Sequence, residues 1–244
     1  CQCVRNWGLW KWFINYFPVD LVKTAELPPD RNYLVCIFPH GLLSIGGFLN
    51  FASNYSKWST LFPGVRPRFT TLVLNYYIPI YRELLLSLGM STVSAKSLTA
   101  ILKESNDPTH KSNSDGFTSS AAGLVVGGER EQRHAAPNIY KFVLKNRKGF
   151  VKIALKTGAS LVPAISFGEN NIFGKNEWRL IRFNGRVPVT TVFGAPIHVT
   201  ENLSPSEEEV NEIHEVFCKE IRELFESHKS KYADNFDQIE LEFV

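Results

Sequence analysis

Uninterrupted apolar runs, each cut off by glycine or proline, set the rhythm of this chain. Tyr33 to Phe38 is apolar at every position and stops at Pro39, which cannot donate to a sheet ladder, so the run reads as a buried strand. Ser160 to Phe167 repeats the pattern, and Ala121 to Gly128 does so with paired glycines at its end. Residues 68–74 and 189–193 have strand character, and a further strand is expected near 179–183. Between these runs the apolar positions change to helical spacing. Ile80, Leu84, Leu85 and Leu88 are closed by Gly89, and Phe150, Val151, Ala154 and Leu155 by Gly158. Val93 restarts a short strand, and Ser94 is placed to cap a helix running to about Lys103. Residues 104–120 are polar and aperiodic, a surface loop. Ser204-Pro205-Ser206-Glu207 reads as a capping box with proline at the first helical position, ahead of the stripe Val210, Ile213, Phe217, Ile221 and Leu224, which is expected to be the last element.

Strands alternating with helices predict an α/β fold, a mixed or largely parallel sheet flanked by helices. At 244 residues and 44% hydrophobic, with no repeat and no linker, 1–244 is read as a single domain. The chain does not begin with Met, so residue 1 is read as the boundary of a longer protein. No apolar run reaches the length of a spanning helix. Residues 1–18 nevertheless combine Trp7, Trp10, Trp12, Phe13, Tyr16 and Phe17 with Arg5 and Lys11, a mixture suited either to the bilayer interface or to the domain's own core. Four scattered cysteines fit a reducing compartment.

The net charge of +3 conceals a segregation. Residues 132–168 hold seven basic side chains, Arg147 and Lys148 among them, and no Asp or Glu, whereas residues 201–244 hold thirteen acidic against four basic. The first stretch is a local field for anions and the second a solvated acidic face.

There is no dinucleotide fingerprint, no P-loop and no nucleophile elbow. His110 and His134 lie in polar stretches, and His214 with Cys218 lacks a third metal ligand, so no metal is expected. His40 remains. It follows a strand's carboxyl end, the edge where ligands bind in open α/β sheets, with Gly41, Gly46 and Gly47 permitting close approach. It is a candidate general base, and a turn histidine is the competing reading.

Five blocks, taken in order, resemble the diacylglycerol acyltransferase type 2 family, which includes the monoacylglycerol and wax-alcohol acyltransferases. They are Tyr16-Phe17-Pro18; Phe38-Pro39-His40-Gly41; Gly127-Gly128 with Glu131; Arg147-Lys148-Gly149-Phe150-Val151-Lys152; and Gly158 to Asn170 with its Leu161-Val162-Pro163 and Phe167-Gly168-Glu169-Asn170. The resemblance implies a glycerolipid-acyltransferase-like fold and transfer of a fatty acyl group from acyl-CoA to diacylglycerol, giving triacylglycerol, with monoacylglycerol or a fatty alcohol as alternative acceptors. It implies His40, Glu131 and Glu169 as catalytic residues. Phe38, Pro39, Gly41, Gly127, Gly128, Arg147, Lys148, Gly149 and Asn170 are implied as the substrate-binding set. It implies no cofactor beyond acyl-CoA as co-substrate, no nucleic acid, a homo-oligomer, and a place on the endoplasmic reticulum membrane facing the cytoplasm, or on lipid droplets.

Three departures from the family pattern stand out. Phe38 occupies a position that more often holds His, the family's N-terminal membrane-inserted segment is read as absent, and the stretch between Phe173 and Arg186 reads as short. An inactive truncated paralogue that binds acyl-CoA or membrane is the rival reading. Ile45 stands where glycerolipid acyltransferases carry the Asp that orients the histidine, so Glu131 or Glu169 is expected to take over that task.

Overall fold

The computed structural model describes residues 1–113, 115–175 and 181–244. Two short helices, α1 (Gln2–Arg5) and α2 (Gly8–Tyr16), lead into β1 (Val19–Lys23) and β2 (Tyr33–Phe38). The His40 loop continues through α3 (Ile45–Ala52) and α4 (Trp58–Leu61) to β3 (Val65–Thr71), a 3-10 turn at Val73–Tyr77, α5 (Tyr81–Ser87), β4 (Ser91–Thr92) and α6 (Ala95–Leu102). Then follow β5 (Ser119–Val125), α7 (Gly128–Gln132), β6 (Tyr140–Phe142), α8 (Gly149–Thr157) and β7 (Ser160–Phe167). The chain closes through β8 (Phe173–Lys175), β9 (Ile181–Phe183), β10 (Val189–Phe193), α9 (Glu207–Tyr232) and β11 (Leu241–Phe243).

Seven strands form one sheet in the order β1-β10-β7-β2-β5-β3-β4. From β7 to β4 every pairing is parallel; β10 runs antiparallel to β7, and β1 parallel to β10. The mixed sheet expected from the sequence is therefore present. β2 lies between β7 and β5 and is buried at all six positions, which is why its sequence never alternates with polar residues. Its side chains nonetheless point alternately to two cores. Leu34, Cys36 and Phe38 join α6, α8 and α9 on one face, whereas Tyr33, Val35 and Ile37 join α2, α3 and α5 on the other.

Several expectations need correction. β3 starts and ends earlier than 68–74, and residues 72–77 leave the sheet as a 3-10 turn. Gly128 opens α7, and β5 ends at Val125. The cap of α9 is Ser206, whose hydroxyl accepts from the Glu209 N–H at 3.1 Å; Pro205 stands before the cap. α9 is followed by β11, which pairs in parallel with β6, so the helix is not the last element. The strand expected near 179–183 is seen from Ile181 onward, in a separate hairpin with β8; residues 176–180, within the stretch read as short, lie outside the described residues. The aromatic N-terminus divides. Trp10 and Phe17 are buried in the core, while Trp7 and Trp12 are exposed. Among the described residues no helix is long and apolar enough to cross a membrane.

Candidate functional site

The parallel strands β2 and β5 and their neighbour β7 all point their carboxyl ends at one edge, where the sequence placed His40, Glu131 and Glu169. The structure brings these three together through the backbone of the His40 loop. Glu131, on α7, is 2% exposed; one oxygen accepts the His40 N–H at 2.6 Å and the other the Val143 N–H at 2.8 Å. Glu169, beyond β7, is equally buried and accepts from Ile45 N–H at 2.7 Å and Gly46 N–H at 2.8 Å. Those are the first amides of α3, whose own N-cap, Ser44, is left-handed (φ 51°) and makes no side-chain cap bond. A carboxylate from another element thus serves as the cap, favoured by the positive end of the helix.

Glycine makes this approach feasible. A Cβ on Gly41 (φ +56°) would sit 2.6 Å from Glu169 Cγ, and one on Gly127 would fall on the Glu131 carboxylate itself. Gln132 completes the clamp, donating from Nε2 to the Leu42 carbonyl at 2.6 Å.

Neither carboxylate orients the imidazole, contrary to the expectation from the missing Asp. His40 Nδ1 lies 3.1 Å from the Gly41 carbonyl. A carbonyl can only accept, so Nδ1 carries the proton and Nε2 keeps its lone pair. Burial lowers the His40 pKa from its ordinary value, favouring the neutral ring that a base requires. Burial raises both carboxyls to about 7 against the pull of their N–H bonds; for Glu131 the nearby Arg147 cation opposes the rise as well.

The other implied residues are placed as follows. Phe38 is fully buried with its ring stacked on Phe142 at 4.8 Å, so its part is to end the strand as a core residue; Pro39 is buried behind the loop. Asn170 donates from Nδ2 to the Ile139 carbonyl at 2.6 Å, and its buried Oδ1 has no hydrogen-bond partner among the described residues. Gly149 opens α8, and Arg147 lies before it, its buried Nε without a hydrogen-bond partner among the described residues. Lys148 bonds Asn211 on α9 at 2.6 Å, Lys152 pairs with Glu207 and Lys141 with Glu242. The basic stretch and the acidic tail, separate in sequence, therefore meet in space, and part of the expected anion field is offset.

Sequence reasoning missed the groups that receive the carboxylates: the amides of Val143, Ile45 and Gly46, and the Gln132 side chain. Backbone amides carry no sequence signal; only the glycines at 41, 46 and 127 hinted at a close approach.

Among the described residues no group of three or more His, Cys, Asp or Glu is placed to hold a metal ion. His214 is a buried core residue whose Nε2–H donates to the Leu144 carbonyl at 3.0 Å. A cavity of about 160 Å³ lies at the opposite edge of the sheet, lined by Arg5, Arg66, Arg68 and Asp115. Its cations are committed: Arg68 to Glu104 at 2.8 Å, Arg66 to Asp115 at 2.5 Å, and Arg5 to the Phe51 and Leu88 carbonyls.

Comparison with known proteins identifies the family and the fold. The family model for diacylglycerol acyltransferase matches residues 1–183 and 176–243, its two segments meeting in the stretch read as short. Human 2-acylglycerol O-acyltransferase 1 is 35% identical over 94% of this chain and 75% of its own length, and human 2-acylglycerol O-acyltransferase 3 is 37% identical over 93% and 73%. Mouse diacylglycerol O-acyltransferase 2 is 33% identical over 95% and 66%. Among solved structures, the 1-acyl-sn-glycerophosphate acyltransferase of Thermotoga maritima superposes with a TM-score of 0.53 at 18% identity, over 95% of this chain and 80% of that one, which establishes the shared fold. With nearly every residue inside the family match, the chain belongs to the diacylglycerol acyltransferase family.

Proposed function

We propose that this protein transfers a fatty acyl group from acyl-CoA to the free hydroxyl of an acylglycerol, with His40 as general base. The observation that carries this reading is the His40 ring, pinned through Nδ1 to the Gly41 carbonyl at a strand end, with Nε2 left to accept a proton. The acceptor hydroxyl gives its proton to Nε2 as its oxygen attacks the thioester carbonyl carbon. The tetrahedral intermediate then expels coenzyme A thiolate, which recovers the proton from the imidazolium. A thioester needs little activation beyond this base, so no covalent enzyme intermediate and no further cofactor is required. The His40 amide is occupied by Glu131, so the amides of Gly41 and Gly127 are proposed for the developing oxyanion.

Diacylglycerol is the proposed acceptor. Monoacylglycerol is the second reading, favoured by the two relatives named 2-acylglycerol O-acyltransferase. Arg147, with Lys148 and Gly149 beside it at the start of α8, is proposed to meet the coenzyme A phosphates. Because the acceptor dissolves only in lipid, the protein is proposed to work at the endoplasmic reticulum membrane or on lipid droplets, facing the cytoplasm, as a homo-oligomer. Expression in cells without triacylglycerol synthesis, followed by profiling of neutral lipids, tests the reading: triacylglycerol should return with the parent and not with His40→Gln. Return of no acylated neutral lipid from the expressed parent would favour the reading of an inactive paralogue.

A further inference from the structure

The stretch 72–81, which leaves β3, contains no charged residue and no buried one. Leu74 is 72% exposed, Tyr77 77% and Ile80 85%, and Leu72 and Ile78 are exposed beside them. Soluble surfaces scatter such side chains singly; a contiguous uncharged run marks a surface that is covered in use. Ile80 also holds a positive φ of 67°, a conformation β-branched residues rarely adopt, and it does so while presenting its side chain outward.

Its place in the fold says what covers it. Val35, Gly123 and Phe69 are in register across β2, β5 and β3. Three residues further along each strand stand Phe38, Val126 and Leu72, so the stretch leaves the sheet level with the His40 loop. Two strand spacings, about 10 Å, separate them. Leu43, in the His40 loop, is itself 60% exposed. On the α3 face, Tyr76 and Leu84 pack on the core cluster that α3 covers, which ties the 72–81 run to the same side of the sheet as the helix that follows His40.

We infer that 72–81 is a bilayer-docking edge, which seats the His40 end of the sheet against zwitterionic lipid. The occupant is a lipid surface because the run mixes aliphatic tips with tyrosine rings, the composition of an interfacial anchor. It is zwitterionic lipid because the run has no basic residue with which to select anionic headgroups. This inference rests on the acylglycerol reading above, whose substrate resides in such a surface.

Sedimentation of the purified chain with phosphatidylcholine vesicles tests it and requires no turnover, so an inactive protein that still binds vesicles would overturn the proposed function and leave this inference standing. The parent should pellet with vesicles, in salt as high as about 0.5 M, where the screening length is only a few ångströms. Leu74→Ser/Tyr77→Ser/Ile80→Ser should lower the partition coefficient by roughly tenfold or more with an unchanged melting temperature. Ile80→Asp, a single change at the most exposed position, keeps the test readable if the triple variant fails to fold. Undiminished binding by the folded variants would overturn the inference. So would a requirement for anionic lipid abolished by salt, which would assign docking to the basic stretch, or a dimer that these substitutions dissolve in the absence of any vesicle binding.

Discussion

Glu131 and Glu169 are near twins in burial, in titration and in the number of backbone amides each accepts, yet they grip the His40 loop differently. Glu131 joins the amide of His40 itself to Val143, with the Arg147 cation close by. Glu169 takes two successive amides at the start of α3, and its titration is set by burial working against those two bonds. The first fixes the backbone of the proposed base; the second caps a helix that has no side-chain cap of its own. A buried carboxylate in an active-site loop therefore need not be an acid or a base, because an acceptor for backbone N–H groups is itself scarce in a protein interior.

The largest effect should come from the His40 side chain, whose loop both carboxylates hold by its backbone. His40→Gln is expected to slow transfer by about 10²–10⁴ with an unchanged melting temperature, since the loop is held by its backbone. A folded His40→Gln protein working at the parent rate would reduce His40 to a turn residue and the two carboxylates to scaffolding. Next come Glu131→Ala and Glu169→Ala, each of which strands two buried N–H groups and should cost roughly 2–5 kcal/mol in denaturant unfolding. At a temperature where both variants are folded, the difference between them should appear. Glu169→Ala should regain most of its rate, whereas Glu131→Ala, with the His40 amide released, should remain at least about tenfold slower. Equal recovery would erase the distinction.

A smaller effect concerns pH. Both folded-state values, about 7, lie above the ordinary 4.5, so burial favours the protonated form. The associated stability is fully present below pH 4.5 and is lost as pH rises through about 7, on the order of 3 kcal/mol for each carboxyl. Unfolding at pH 5 and pH 8 should reveal this slope in the parent. Glu169→Gln should show a reduced slope, along with a general loss because its NH₂ faces an amide N–H. The smallest effect is the most selective. Arg147→Ala should raise the Glu131 titration further and leave Glu169 where it is, as followed by the carboxyl infrared bands. If it also raises the acyl-CoA requirement, Arg147 serves the donor as well as the carboxylate.

The cores of β2 and β7 were legible because burial on both faces writes itself as a nearly continuous apolar sequence, and β10 because its valines and threonines are β-branched; all three occupy the expected residues. β1, β6 and β11 were missed. Val19–Lys23 alternates weakly, and the other two have three residues each, too few for a period. The helix closed by Gly158 ends where glycine adopts φ +68°. At the site, the residue types were readable and their tasks were not. Glu131 and Glu169 do converge on the His40 loop, but through main-chain amides contributed by positions whose side chains are immaterial to the contact. The charge segregation was real in sequence and partly cancelled by folding, since Lys141, Lys148 and Lys152 reach α9 and β11.

The far-apart origins of the clamp bear on how the protein is made. The amides of Ile45 and Gly46 leave the ribosome long before Glu169, and at roughly 5–20 residues per second the wait is on the order of 10 s. Through that interval the start of α3 has no cap, and His40 has no fixed backbone until Glu131 and Val143 follow. β1 likewise lacks its neighbour until Val189–Phe193 is synthesised, and β6 lacks its own until Leu241–Phe243. A chain released at any point before Glu169 would carry the histidine without the site, with an apolar strand and helix free to meet other chains.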